Sequence, residues 1–230
     1  MVKASFVTLL TSEAYLPGAL VLASSIRATG TKYPINLLVT ENTLSSGALN
    51  ALHVAYDNVF TVPLLKSEAL KNLDLLGRPD LHSTLTKIHV FNPNTYTSVS
   101  GYEKVLFLDA DTLVIRNLDH VFDNSGETAY LPSDDYVLAA SPDIGWPDCF
   151  NSGVLLVRPN EKVYKVLVNQ IESNPLECSF DGGDQGLLNT VFGGWSKANG
   201  ICPLLGNLKA SRLPFIYNVT PSAFYSYLPA

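Results

Sequence analysis

Val105-Leu106-Phe107-Leu108-Asp109-Ala110-Asp111-Thr112-Leu113-Val114 decides the fold. Four apolar residues run into two carboxylates one residue apart, and apolar residues resume at once. A short apolar run bounded in this way reads as a buried strand of an α/β sheet. The Asp-Ala-Asp then sits where the strand leaves the core, and open α/β sheets bind ligands at the carboxyl ends of their strands. Successive side chains of an extended strand point to opposite faces. A bend or a bridging water is therefore needed to bring Asp109 and Asp111 to one ion. Given the bend, two hard carboxylate oxygens suit Mg2+ or Mn2+, with the other positions left to water and a diphosphate. The alternative is a turn whose Asp pair caps the next element. Asp-x-Asp is short and common, so spacing alone leaves both readings open.

The flanking chain alternates strand and helix. Ala4 to Leu10 is a nearly continuous apolar strand, and Thr11-Ser12-Glu13 offers capping side chains. Tyr15 to Arg27 carries Leu16, Leu20, Ala23 and Ile26 at helical spacing and is ended by Gly30. Ile35 to Val39 is a second strand, Ser45 to Tyr56 a second helix and Val59 to Leu65 a third strand. This alternation predicts a doubly wound, Rossmann-like arrangement of βαβ units. No G-x-G-x-x-G follows the first strand, which disfavours a dinucleotide dehydrogenase. Tyr15, just past the strand end, either stacks on a nucleobase or covers the helix.

Glu68 to Pro79 reads as irregular, and Ser83 as the N-cap of a helix that Pro93 stops. Arg78 and Lys87 are two of only fifteen basic residues and both shortly precede the Asp-Ala-Asp strand. They are candidate phosphate partners, against the ordinary fate of solvated helix charges. Asn117 to Phe122 is a short helical piece. Gly126 to Leu131 and Tyr136 to Ala140 read as edge or hairpin strands about a Pro132-Ser133-Asp134-Asp135 turn. Val154 to Val157 is a strand, Glu161 to Ser173 an amphipathic helix and Asp184 to Phe192 a shorter one. Ser196 to Ser211 is expected to be a loosely ordered loop.

Composition bounds the function. The 230 residues suffice for one large α/β domain or two small ones, and 47% hydrophobic with 16% charged residues describes an ordered globular chain. The net charge of −6 and the lack of a Lys/Arg block disfavour nucleic acid and anionic membranes as partners. An acidic protein that binds an acidic nucleotide needs a metal or a few local cations. Cys149, Cys178 and Cys202 show no C-x-x-C spacing and read as free thiols of a reducing compartment. Thr8, Thr11, Ser12 and Glu13 interrupt any signal-peptide core, and no stretch reaches the ~18 apolar residues of a membrane span. A cytoplasmic location is the expectation, and the Asn218-Val219-Thr220 sequon then reads as a chance match.

Two further stretches carry chemistry. Gly145-Trp146-Pro147-Asp148-Cys149-Phe150-Asn151-Ser152-Gly153 combines aromatics, an amide, a hydroxyl and a glycine, a composition that suits a sugar as well as an ordinary turn before a strand. Phe180-Asp181-Gly182-Gly183-Asp184-Gln185-Gly186 leads two carboxylates and an amide into a helix N-terminus. Asp184 there is either a cap or a group that steers a sugar hydroxyl and stabilises an oxocarbenium-like centre.

Together these stretches resemble the family-eight retaining glycosyltransferases, and within them the self-glucosylating members that prime glycogen. The resemblance is carried from end to end by Phe6-Val7-Thr8-Leu9, Ala14-Tyr15, Thr84-Leu85-Thr86-Lys87, the Asp109 to Val114 run, the two stretches above, Leu213-Pro214-Phe215-Ile216-Tyr217-Asn218 and Tyr225-Ser226-Tyr227-Leu228-Pro229-Ala230. It implies a nucleotide-diphospho-sugar transferase fold: one Rossmann-like α/β domain, 1–230, with a mostly parallel sheet and helices on both faces. Residues to about 115 would form the nucleotide half and the rest the acceptor and sugar half. It implies Mn2+ or Mg2+ on Asp109 and Asp111, bridging the diphosphate of a UDP-glucose donor. Leu9, Thr11 and Tyr15 would hold uridine, and Ala110 would lie against the nucleotide-sugar. Arg78 and Lys87 would meet phosphates or sugar. Asn151, Ser152, Asp181, Asp184 and Gln185 would bind the glucose, with Asp181, Asp184 and Lys87 as the catalytic group. Tyr225, with Tyr227 the other choice, would accept the first glucose before the growing glucan does. A homodimer and glycogen synthase are the implied protein partners.

The resemblance also implies a segment beyond Leu-Pro-Ala holding a His metal ligand, a glycine and a Lys. None of His53, His82, His89 or His120 stands in a matching context, so the chain is expected to be a fragment with two of three metal ligands, weak Mn2+ binding and little activity. The Asp134-Asp135 region and the Gly200 to Lys209 loop also look longer than in the best-known members. A galactinol synthase-like transferase with a separate acceptor, and a non-catalytic partner-binding fragment, are the alternatives.

Overall fold

The computed structural model describes residues 2–66, 79–123, 129–144 and 148–220. Among the described residues seven strands form one sheet: β1 (Ala4–Leu10), β2 (Ile35–Thr40), β3 (Asn58–Val62), β4 (Lys104–Leu108), β5 (Tyr136–Pro142), β6 (Phe150–Val157) and β7 (Lys209–Arg212), in the order β3-β2-β1-β4-β6-β5-β7. The pairs from β3 to β4 and the β5–β7 pair are parallel, whereas β6 runs antiparallel to both β4 and β5. The sheet is thus mostly parallel, as expected.

β1, β2, β4, β5 and β6 bury both faces, which is why they read as apolar runs rather than alternations. Phe6, Leu37 and Leu106 pack on one face with Leu22 and Ile26 of α1 (Leu16–Ala28) and Leu52 of α2 (Ser46–Ala55). Val7, Leu38 and Phe107 pack on the other with Val163 and Leu167 of α3 (Glu161–Ser173) and Leu187 and Leu188 of α4 (Asp184–Val191). Helices cover both faces, as expected. Two of the expected boundaries are present: Ser12 Oγ accepts Ala14 N–H at 3.3 Å before the turn that leads into α1, and Gly30 stops α1 at φ 73°; Ser45 Oγ also accepts Ala48 N–H at 3.2 Å, a cap for α2. Among the described residues no helix is long and apolar enough to cross a membrane.

The order 3-2-1-4 sends the chain outward from β1 and back across it to β4. The carboxyl ends of β1 and β4 therefore flank a topological switch point, where a crevice for ligands opens. β6 is antiparallel to β4, with Val154 opposite Leu108, so its amino end reaches the same sheet edge. The structure thereby brings Asn151, Ser152 and Gly153 beside Asp109.

Three expectations are corrected. The run before Pro93 is a 3-10 segment, Pro79–Phe91; Ser83 lies inside it, and its hydroxyl bonds Thr11 Oγ1 at 2.9 Å rather than capping a helix. Residues 129–131 form no strand, because Leu131 is buried in the core while the ladder position beside β5 is taken by β7. The Ser196 to Ser211 span is ordered: it holds a 3-10 turn, Pro203–Leu205, and enters β7, with Cys202, Leu205 and Ala210 buried. The expected Asp134-Asp135 turn is present, closed by Tyr136 N–H to Ser133 O at 3.0 Å. The Glu68 to Arg78 stretch, Gly126 to Thr128, Gly145-Trp146-Pro147, Tyr225 and Tyr227 lie outside the described residues.

Candidate functional site

The backbone bends at the end of β4. Asp109 O accepts both Thr112 N–H, at 3.0 Å, and Thr112 Oγ1, at 2.7 Å, which closes a turn over the Asp-Ala-Asp. Asp109 N–H donates to Gly153 O at 2.9 Å and ties the turn to β6. The Asp109 carboxylate takes an ammonium rather than capping backbone N–H groups. Lys87 Nζ lies 2.9 Å from Asp109 Oδ1 and 2.6 Å from Asp184 Oδ2, and it donates to Ser152 O at 3.1 Å. The Phe107 ring sits 5.1 Å below the same ammonium. One buried lysine, reached from the 3-10 segment, thus joins the carboxyl end of β4 to the N-terminus of α4.

Charge in this knot is unbalanced. Burial pushes Lys87 down, but Asp109 and Asp184 outweigh it and hold the ammonium above its ordinary range. Burial raises the Asp109 carboxyl to about 6; Lys87 opposes the rise, while Asp184 and Asp111 add to it. Two carboxylates thus share one ammonium, and Asp111 adds further negative charge beside Asp109. Asp109 keeps 36% of its side-chain surface exposed, and Asp111 is exposed, so a further cation has access from solvent. Two hard oxygen donors with an unmet negative charge fit Mg2+ or Mn2+. Among the described residues no cluster of three His, Cys, Asp or Glu side chains is arranged around an ion. His89 is spent on Pro63 O and Tyr164, and His120 on Tyr217.

The glycine-rich stretch before α4 works as a scaffold. Asp181 Oδ1 accepts Gly183 N–H at 2.9 Å, Gly186 N–H at 3.0 Å and Ser179 Oγ at 2.6 Å, so one carboxylate oxygen holds the turn into the helix. A Cβ on Gly186 would stand 2.5 Å from that oxygen, which leaves room for glycine alone. Gln185 Oε1 accepts Ser152 N–H at 3.1 Å, and its Nε2 donates to Asp143 Oδ2 at 2.7 Å. Both ends of that amide are therefore committed to protein.

The structure brings Lys87, Asp109, Ser152 and Asp184 into direct contact, with Asn151 and Gln185 one bond away. Leu9, Thr11 and Tyr15 lie at the end of β1 and the start of α1, on the same sheet edge; Tyr15 is 41% exposed. Ala110 is nearly buried and packs on α1. Arg78 and Tyr225 lie outside the described residues. Sequence reasoning missed Thr84, which accepts Asp184 N–H at 3.3 Å, together with Asp143 and Asn218. Thr84 stands three residues before Lys87, one helical turn away, and that spacing was a usable signal.

The comparisons agree with this geometry. Residues 6–227 match the family model described as glycosyl transferase family 8. The chain is 40% identical over 230 residues to Glycogenin-1 of Oryctolagus cuniculus, covering all of this chain and 60% of that protein. It is 40% identical over 226 residues to Glycogenin-1 of Caenorhabditis elegans, covering 98% of this chain and 46% of that one. The chain therefore spans about half to three fifths of the length of these relatives. Among solved structures, the galactosyltransferase LgtC with donor and acceptor sugar analogs superposes with a TM-score of 0.62 at 19% identity, covering 98% of this chain and 78% of that one. GlyE of Streptococcus pneumoniae TIGR4 superposes at 0.63 with 21% identity, covering 98% and 49%. At these identities the two structures support the fold alone. The family match over nearly the whole chain, on a sheet whose switch point carries the Asp-Ala-Asp turn, places the protein in glycosyl transferase family 8.

Proposed function

We propose that this chain transfers glucose from UDP-glucose to a tyrosine hydroxyl and then to the glucan that grows from it. The observation that carries the reading is the Lys87 ammonium held between Asp109 and Asp184, because it joins a cation-seeking turn to the polar edge formed by Ser152 and the N-terminus of α4. Identity of 40% to Glycogenin-1 across the whole chain supports it.

In this reading Leu9, Thr11 and Tyr15 hold the uridine, and residues to about 115 form the nucleotide half. Asp109 and Asp111 would hold Mn2+ or Mg2+, with Ala110 against the nucleotide-sugar. A divalent cation bound there would neutralise diphosphate charge and so ease departure of UDP. Lys87 keeps its proton and places fixed positive charge beside the same diphosphate, and Arg78 adds a second cation. Asn151, Ser152 and Gln185 shape the sugar edge. Asp184 faces developing positive charge at the anomeric carbon, and Asp181 holds the helix that carries Asp184. A phenol with a pKa of about 10 is a weak nucleophile at neutral pH, so Tyr225 needs a donor activated in this way. A homodimer, a partnership with glycogen synthase and a cytoplasmic setting go with the reading.

Intact mass after incubation with UDP-glucose and Mn2+ tests it. The expected result is added hexose units that map to the Tyr225 peptide. Hexose on a free sugar acceptor, with the chain's own mass unchanged, overturns the self-transfer.

A further inference from the structure

Asn151 Oδ1 accepts two hydrogen bonds, from Gly153 N–H at 2.8 Å and from Asn218 Nδ2 at 2.7 Å. A backbone N–H can only donate, so the Asn151 oxygen is fixed toward Gly153 and Asn218 must present its amide nitrogen. The Asn151 Nδ2 end makes no hydrogen bond to protein among the described residues and is the end offered to a ligand. Asn218 is itself held in place. Its N–H donates to Phe215 O at 3.0 Å, and Leu213 N–H ties the preceding segment to Ala140 O at 2.9 Å. The neighbouring Tyr217 hydroxyl meets His120 at 2.7 Å and Tyr130 at 3.0 Å. The amide lock also sits over the charged knot. A Cβ built on Gly153 would lie 3.0 Å from Asn151 Oδ1, 3.4 Å from Asp109 Oδ2 and 3.6 Å from Asn218 Nδ2, so the three groups converge on one glycine.

We infer that Asn218 is a positioning residue for the donor sugar. Its Nδ2 adds a second donor to that of Gly153 N–H and so holds the Asn151 amide, whose polarity Gly153 sets, in the pose that presents an N–H donor to a hexose hydroxyl next to Asp109. The inference rests on the UDP-sugar reading above. It also gives the Asn218 side chain an inward role, which removes the sequon as an acceptor.

Isothermal titration of the full chain with UDP and with UDP-glucose, both with Mn2+, tests it. The sugar contact is present only in the second ligand. Asn218→Ala is expected to weaken UDP-glucose about fivefold to tenfold and to leave UDP within about twofold. Asn151→Ala is expected to do the same, and the double variant to lose no more than either alone. Should the alanine variant fail to fold, Asn218→Leu fills the space without a donor and carries the same expectation. Equal loss of both ligands, or no loss of either, overturns the positioning role while the donor reading stands. A wild-type chain that binds UDP no worse than UDP-glucose but shows no sugar discrimination between variants likewise overturns it. A wild-type chain that binds neither ligand overturns the donor reading, and the inference with it.

Discussion

Gly18 in the first turns of α1 lies so close to Ala110 that a Cβ on it would fall 2.5 Å from the Ala110 carbonyl oxygen. The helix that follows β1 and the turn that follows β4 are in backbone contact, and the carboxylates on either side of Ala110 are aimed by that contact. Gly18→Ala must move the helix or the turn. We expect a loss of about 1–3 kcal/mol in urea denaturation, in the range of other overpacked sites. Mn2+-dependent UDP binding should fall more than tenfold in protein that remains folded. Unchanged binding would show that the turn is held by Thr112 and Gly153 alone.

Removing Lys87 leaves Asp109 and Asp184 facing each other without a counter-charge. Breaking a buried pair in this way costs about 3–5 kcal/mol, and the part-exposure of Asp109 sets the lower end of that range. For Lys87→Ala we expect about 3 kcal/mol at neutral pH. Burial already raises Asp109 to about 6, and without Lys87 it rises further, so on acidification the variant takes up the proton first; the loss should shrink as pH falls toward about 6 and level off below it. Denaturation midpoints of variant and wild type across that window give the answer. A loss that grows on acidification contradicts the charge argument.

Much of the fold was readable because strands buried on both faces leave continuous apolar runs. Phe6 and Val7, or Leu106 and Phe107, fill opposite faces, and no other element of this length does that. The Asp109 turn was readable because two carboxylates interrupt such a run. β7 was not: Lys209-Ala210-Ser211-Arg212 is a short edge strand with one buried side chain, so it carries no apolar pattern. The 3-10 run over Pro79–Phe91 mimics helical spacing in sequence. Asn218 was invisible for a different reason. Its role depends on the orientation of the Asn151 amide 67 residues away, which local spacing does not encode.

Asp181 and Asp184 look equivalent in sequence, but the structure gives them different work. Asn keeps the Oδ1 acceptor that Gly183, Gly186 and Ser179 use, so Asp181→Asn should fold normally and retain transfer within about threefold. Asp181→Ala loses the acceptor and should cost about 1–2 kcal/mol of stability. Asp184→Asn removes the charge 2.6 Å from Lys87 and should lower transfer about a hundredfold with the helix intact. Initial rates with UDP-glucose, beside thermal melts, separate the cases. A folded Asp181→Asn protein without activity would move Asp181 from scaffold to chemistry.

At the opposite end of β4, Lys104 is fully buried on the same face as Leu106 and Leu108, and its ammonium donates to Phe122 O at 3.3 Å and Asp123 O at 3.4 Å. Burial, aided by repulsion from Arg158, lowers its pKa to about 8 against an ordinary 10.5, with Asp123 and Glu103 opposing the shift. Below about pH 8 both folded and unfolded chains carry the proton, and the folded state bears the full cost of burying it. Between about pH 8 and 10.5 the folded chain has released the proton and the unfolded chain has not, so this group makes stability rise with pH through that window. Lys104→Met abolishes the rise. The stability difference between Lys104→Met and wild type should therefore fall by about 3 kcal/mol from neutral pH to about pH 10.5. Two carbonyls left without a donor subtract about 1–2 kcal/mol from the variant at every pH, which shifts the difference without changing its slope. The raised thiols of Cys178 and Cys202 work in the other direction as pH climbs, but they do so in both proteins and cancel. Urea denaturation of the pair at several pH values measures the slope directly, and a difference that stays flat means Lys104 is hydrated well enough to keep its ordinary proton affinity.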